Sequence, residues 1–132
     1  MAVVPESHAD LLAGPVGTLT TVGSDGYPQV TAVVAMLGDD GNVHTSVSSV
    51  RQKYRNMVRH PKATLLVIDP ANPFRTVEVR ADVEIIPDPG KVWSKAFLQG
   101  GVDLDEIDPP EAERFHIVLH PAKVNTLEPG AW

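Results

Sequence analysis

The sequence predicts a single mainly β domain, a small barrel of six or seven antiparallel strands carrying three short helices. Short β-branched runs alternate with turns built from Ser24-Asp25-Gly26 and Asp39-Asp40-Gly41-Asn42, the spacing of hairpins. Hairpins between consecutive strands exclude a parallel βαβ sheet, which needs long crossovers. So many strands in 132 residues favour closure, because a closed barrel removes exposed edges. The length suits one domain spanning residues 1–132.

The elements follow in chain order. Pro5 to Leu12, with an early proline and Gly14 just beyond, reads as a short helix. Val16 to Val22, Tyr27 to Leu37 and Val43 to Ser48 form a three-stranded meander. From Ser49, read as the N-cap, the period changes. Val50, Tyr54, Met57 and Val58 recur as one helical face, while Arg51, Arg55 and Arg59 step along another, and His60-Pro61 ends the helix. Ala63 to Asp69 is a short buried-type strand, closed by a turn at Pro70-Ala71-Asn72-Pro73. Arg75 to Ile85 alternates most clearly, with Val77, Val79, Ala81, Val83 and Ile85 on one side. Lys91 to Gln99 reads as a helix with Trp93 and Phe97 paired, 100–112 as an acidic loop, and 115–119 and 123–127 as closing strands.

Hydrophobic and charged fractions of 42% and 21% are those of an ordinary globular domain. The chain has no cysteine, which excludes disulfides and thiolate metal sites. No apolar run approaches the ~20 residues that span a bilayer, and the N-terminus lacks the features of a signal peptide. A cytoplasmic protein that neither crosses a membrane nor binds nucleic acid is expected, since a net charge of −6 repels a phosphate backbone. The charge is unevenly placed. Residues 1–50 hold no Lys or Arg; then Arg51, Lys53, Arg55, Arg59 and Lys62 arrive with no acidic residue among them. An acidic chain with one dense basic cluster is suited to holding a small anion.

The third strand sharpens this reading. Its alternation puts Val43, Thr45 and Val47 on one face and His44, Ser46 and Ser48 on the other. Two hydroxyls thus precede a helix N-terminus carrying Arg51, Lys53 and Arg55. Hydroxyl donors, free helical N–H groups, the helix dipole and basic side chains converge on one point, a combination that binds phosphate.

With those residues in place, the chain resembles a known group of proteins. Ser24-Asp25-Gly26-Tyr27-Pro28-Gln29-Val30, Ser46, Arg51-Gln52-Lys53-Tyr54-Arg55-Asn56-Met57 and His60-Pro61 look like the pyridoxamine 5′-phosphate oxidase-like split barrels. The Arg-x-Lys-x-Arg-Asn pattern is most similar to the actinobacterial coenzyme F420-dependent reductases. The resemblance implies a split β-barrel of the FMN-binding-protein type, a homodimer with cofactor sites at the subunit interface, and an oxidoreductase. Hydride would pass from reduced F420, a deazaflavin, to a small organic acceptor; FMN is the alternative cofactor, and a non-catalytic flavin or haem carrier the alternative role. On that pattern Ser46, Arg51 and Lys53 hold the cofactor phosphate, Arg55 and Asn56 belong to the same motif, and Asn56 fixes the helix to the barrel. Pro28, Gln29, Val30 and Thr31 lie along the ring system, and Arg75 reaches the site from the other subunit. Gln52-Lys53 stands where FMN-using relatives often have adjacent Arg-Lys, which leans toward the deazaflavin. No side chain is assigned as catalytic acid or base, because the cofactor carries the chemistry.

Other features read as structural. Tyr54 is expected in the core, and the Trp93/Phe97 pair in packing. His116 and His120 suit an outward or interface position rather than a metal site, for which no ligand spacing occurs. The acidic segment 103–113 reads as a solvated loop or a lid, and Trp132 has no assigned place.

Overall fold

Residues 2–98 and 103–128 are described by a computed structural model. Strand β1 (Ala13–Val22) turns at Gly26, whose φ of 86° needs a residue without a Cβ, into β2 (Pro28–Leu37). Gly41, with φ of 80°, serves the same purpose before β3 (Val43–Ser48). Helix α1 (Gln52–Arg59) follows, then β4 (Lys62–Asp69) and the long β5 (Asn72–Pro87). Helices α2 (Val92–Phe97) and α3 (Leu104–Ile107) precede β6 (Arg114–Leu127). The six strands close in the order β1-β2-β3-β6-β5-β4, every pairing antiparallel. The expected mainly β barrel is therefore what forms.

Inward positions alternate along each strand. Leu19, Val33, Ala35, Val43, Val47, Leu65, Val67, Val77, Val79, Ile117 and Leu119 are buried together in one core. The N-terminal segment, a 3₁₀ helix at Glu6–Leu12, adds Leu11 and Leu12 to this core and buries His8, whose Nε2 lies 3.2 Å from the Leu127 carbonyl. Gly17 of β1 packs tightly against β4. A Cβ there would stand 2.9 Å from Val67 Cγ2 and 3.1 Å from the Leu66 carbonyl oxygen. Gly17→Ala should cost about 1–3 kcal/mol through this overpacking, read as a lower urea midpoint at an unchanged slope.

Several boundaries differ from the sequence reading. The helix after β3 starts at Gln52, so Arg51 and not Ser49 is its N-cap, and no side chain caps it. Ser49 continues the β3–β6 pairing instead: its N–H donates to the Glu113 carbonyl and its Oγ accepts from the Glu113 N–H. Val50, ahead of the helix, and Val58, on its outer side, are exposed; the packed face is Tyr54, Asn56 and Met57. Tyr54 stacks on Phe115 with centroids 4.5 Å apart, as its core placement required. The turn before β5 shortens to Pro70-Ala71, and Asn72 to Phe74 join the strand. The two closing strands are one, running through Pro121 across a bulge opposite Arg80/Ala81. The acidic segment contains α3, capped by the Asp103 carboxylate accepting from the Asp105 N–H. Gln99, residues 100–102 and Trp132 lie outside the described residues.

Candidate functional site

The β3–β6 ladder and the start of α1 frame a cavity of about 530 Å³. Gln29 and Thr31 of β2, Ser46 and Ser48 of β3, and Arg51 and Lys53 at the head of α1 all line it. Six residues singled out from the sequence thus meet in one place. Arg114, which the sequence reading missed, completes the polar wall. The register explains its presence, because Arg114 pairs with Ser48 across the β3–β6 ladder. Among the described residues no carboxylate lines this cavity.

Each group is positioned by its element. Ser46 faces outward from β3, and its hydroxyl donates to Ser94 Oγ at 2.6 Å while lying 3.4 Å from Arg114 Nη1. Lys53 Nζ donates to Thr31 Oγ1 at 3.2 Å. Burial pushes the Lys53 ammonium below the usual lysine pKa, and the charges of Arg51 and Arg114 push it the same way. Like charges crowd here without a shared counter-ion in the cavity. Crowded like charges of this kind favour an anion between them. In the first turn of α1 the Tyr54 N–H donates to the Arg51 carbonyl at 3.2 Å, and the positive end of the helix dipole adds to the field of these cations.

Asn56, fully buried, fastens α1 to the barrel. Its Nδ2 donates to Thr21 Oγ1 at 3.0 Å and Gln29 Oε1 at 2.9 Å, and its Oδ1 accepts from Gln52 Nε2 at 2.9 Å. It therefore sets both the helix and the Gln29 amide that lines the cavity. Gln29 and Gln52 also border a second hollow with Pro28, Asn56 and the exposed Tyr27. Arg55 points away, its guanidinium donating to Gln52 Oε1 and the Val50 carbonyl. Val30 faces outward on β2. Arg75 is outside the cluster: it is engaged within its own chain by Asp10, Asp69 and the Ser7 carbonyl. To act across a dimer it would have to leave those partners.

Beside the cavity, a chain of polar groups runs over the outer face of the barrel. Asp40 lies 3.0 Å from His44 Nε2, and His44 Nδ1 lies 2.8 Å from His116 Nε2. Trp93 of α2 stacks on His116 at 3.6 Å and on Phe97 at 4.7 Å. His116 is thus covered by a helix, whereas His120 pairs with Glu84 at the surface. Hydrogen bonding to His44 holds the Asp40 pKa down at about 2. Burial, then the neighbouring His44, pushes His116 below its ordinary 6.5, against the pull of Asp88, Glu84 and Asp40. Folded His116 therefore binds fewer protons than unfolded His116. Its stabilising effect is complete above pH 6.5 and is lost as the pH falls below that value. The melting temperature should decline on acidification below pH 6.5, and His116→Gln should flatten that decline; a parallel decline in the variant would place the titration elsewhere.

Comparison with known proteins places this geometry. The family model described as pyridoxamine 5′-phosphate oxidase matches residues 4–127. The chain belongs to that family. Its barrel is accordingly a member of the pyridoxamine-phosphate-oxidase-like split barrels. A solved F420 reductase is 37% identical, with a TM-score of 0.77 over 92% of this chain and 98% of that one. A conserved hypothetical protein from Mycobacterium tuberculosis is 23% identical, with a TM-score of 0.70 over 96% of this chain and 86% of its own. A haem-binding protein from Mycobacterium smegmatis is 21% identical, with a TM-score of 0.67; the match covers 96% of this chain and 55% of that one. The last two similarities speak to the fold. No curated protein matches the sequence. Among the described residues, no helix is long and apolar enough to cross a membrane.

Proposed function

We propose that this member of the family is a coenzyme F420-dependent oxidoreductase that passes a hydride from the reduced cofactor to a small organic acceptor. The observation that carries the proposal is one cavity in which Ser46, Ser48, Arg51, Lys53 and Arg114 converge with no carboxylate among the described residues that line it. Its polar set fits a phosphate: an ammonium, two guanidiniums, the Ser48 hydroxyl, and the Ser46 hydroxyl once its rotor turns from Ser94. The F420 reductase at 37% identity favours the deazaflavin over FMN, whose phosphate the same donors would also suit.

When bound, the cofactor would supply the hydride chemistry, and the protein supplies position and water exclusion. Lys53, Arg51 and Arg114 would anchor the phosphate. Gln29, fixed by Asn56, would offer its amide to the edge of the ring, and Thr31 would orient the Lys53 ammonium. Titrating purified protein with F420, FMN and haemin in parallel tests this reading: F420 binding tightest is expected, and binding of none of them at micromolar concentration would refute it.

The outward face of β2, β1 and β4 supports a second part of the proposal, a homodimer. Val30 and Met36 on β2, Val16 on β1 and Ile68 on β4 are exposed apolar residues, and the cavity-lining Ala32 and Val34 belong to the same outward side of β2. A second copy seated here would cover an apolar face and wall the cavity at once. Val16→Lys should shift the protein from dimer to monomer in light scattering and weaken cofactor binding.

A further inference from the structure

Arg114 is held unlike the other cavity cations. Its guanidinium meets Asp108 side-on, Nε to Oδ2 at 2.8 Å and Nη2 to Oδ1 at 2.7 Å. Both side chains are nearly inaccessible, 9% and 2% exposed. This fork-to-fork grip occupies two of the three guanidinium nitrogens. The third, Nη1, lies 3.4 Å from Ser46 Oγ. Lys91 Nζ, 3.3 Å from Asp108 Oδ2, already offsets the Asp108 charge from outside the cavity, so Asp108 orients Arg114 without cancelling the positive field facing Arg51 and Lys53. Asp108 is also the residue that ends α3, its N–H donating to the Leu104 carbonyl.

We infer that Arg114 is an anion-reading residue of the cavity and that Asp108 is its positioning residue, delivering Nη1 to the point already served by Ser46 and Lys53. This rests on the reading of the cavity as a phosphate site and goes beyond it. It makes phosphate recognition depend on a cation that lies sixty residues from the basic cluster and on α3 being in place. The coupling is reciprocal, because an anion that holds Arg114 also holds Asp108 and the end of α3.

Inorganic pyrophosphate is the probe, titrated by calorimetry into the full chain and its variants. Arg114→Lys keeps the charge and removes the fork; it should weaken pyrophosphate binding at least tenfold and leave riboflavin binding, which involves no phosphate, as in the unaltered protein. Asp108→Asn should weaken pyrophosphate several-fold, and Arg80→Gln, on the far exposed face of β5, should leave it unchanged. If Asp108→Asn does not fold, Asp108→Glu tests the same point by displacing the carboxylate by one methylene. Amide exchange at Ile107 and Asp108 should slow on pyrophosphate addition in the unaltered protein and not in Arg114→Lys. Unchanged pyrophosphate affinity in Arg114→Lys, or no pyrophosphate binding by the unaltered protein, overturns the assignment. The expected pattern with pyrophosphate, joined to an absence of F420 and FMN binding, supports Arg114 and refutes the cofactor reading.

Discussion

Asp108→Ala should lower the unfolding free energy by about 3–5 kcal/mol. The carboxylate is 2% exposed and is met by Arg114, itself 9% exposed, and by Lys91. Hydrogen bonds from Arg114 hold the Asp108 pKa below the usual carboxylate range, against the opposing effect of burial. Truncation leaves the Arg114 guanidinium in a buried place with no counter-charge, beside Lys53. The size of the loss comes from that stranded charge rather than from the strength of the pair. Replacing both members by apolar residues, Asp108→Leu with Arg114→Met, should therefore recover most of the lost stability. Urea unfolding measures both; a single-variant loss below about 1 kcal/mol would show the pair to be solvent-screened.

Removing cavity cations should act on binding instead. Lys53→Ala and Arg51→Ala should each weaken F420 binding roughly ten- to hundredfold, about 1.5–3 kcal/mol per charge-assisted contact. Lys53 should be the costlier loss, because its ammonium is half-buried and oriented by Thr31, whereas Arg51 sits exposed at the N-cap. The two losses should not add, since both act on one phosphate. The unliganded protein should not be destabilised by Lys53→Ala, because the substitution relieves repulsion from Arg51 and Arg114. Fluorescence titration and thermal melting separate these effects. Arg55→Ala, whose guanidinium is turned toward Gln52 and the Val50 carbonyl, should change affinity by less than either.

The barrel and half of the site were legible because they depend on local periodicity. The two-residue period of Val43–Ser48 put His44, Ser46 and Ser48 on one face; the structure leaves His44 and Ser46 partly exposed and buries Ser48, although Ser46 and Ser48 both line the cavity. The charge gap before Arg51 pointed to the cation-lined cavity without any knowledge of the fold. What depended on strand register was hidden. Arg114 follows Glu113 just beyond the acidic segment and carries no signal of its own in the sequence; pairing with Ser48 places it at the cavity. Asp108 was hidden for the same reason, among five other acidic residues of the segment that differ from it in burial, not in type. The N-cap moved from Ser49 to Arg51 because the ladder with β6 runs one residue further than its apolar pattern, taking Ser49 to Glu113. Pro121 split β6 in the sequence, yet the ladder passes it with a bulge, where a missing N–H is tolerated.

We propose that the cavity bounded by Ser46, Arg51, Lys53 and Arg114 holds the phosphate of the cofactor. A crystal structure of the protein with bound F420 tests it most directly. The phosphate oxygens should lie at hydrogen-bond distance, about 2.7–3.2 Å, from Lys53 Nζ and from the guanidiniums of Arg51 and Arg114. A phosphate found on any other surface, with Lys53 still bonded only to Thr31, would place the cofactor elsewhere.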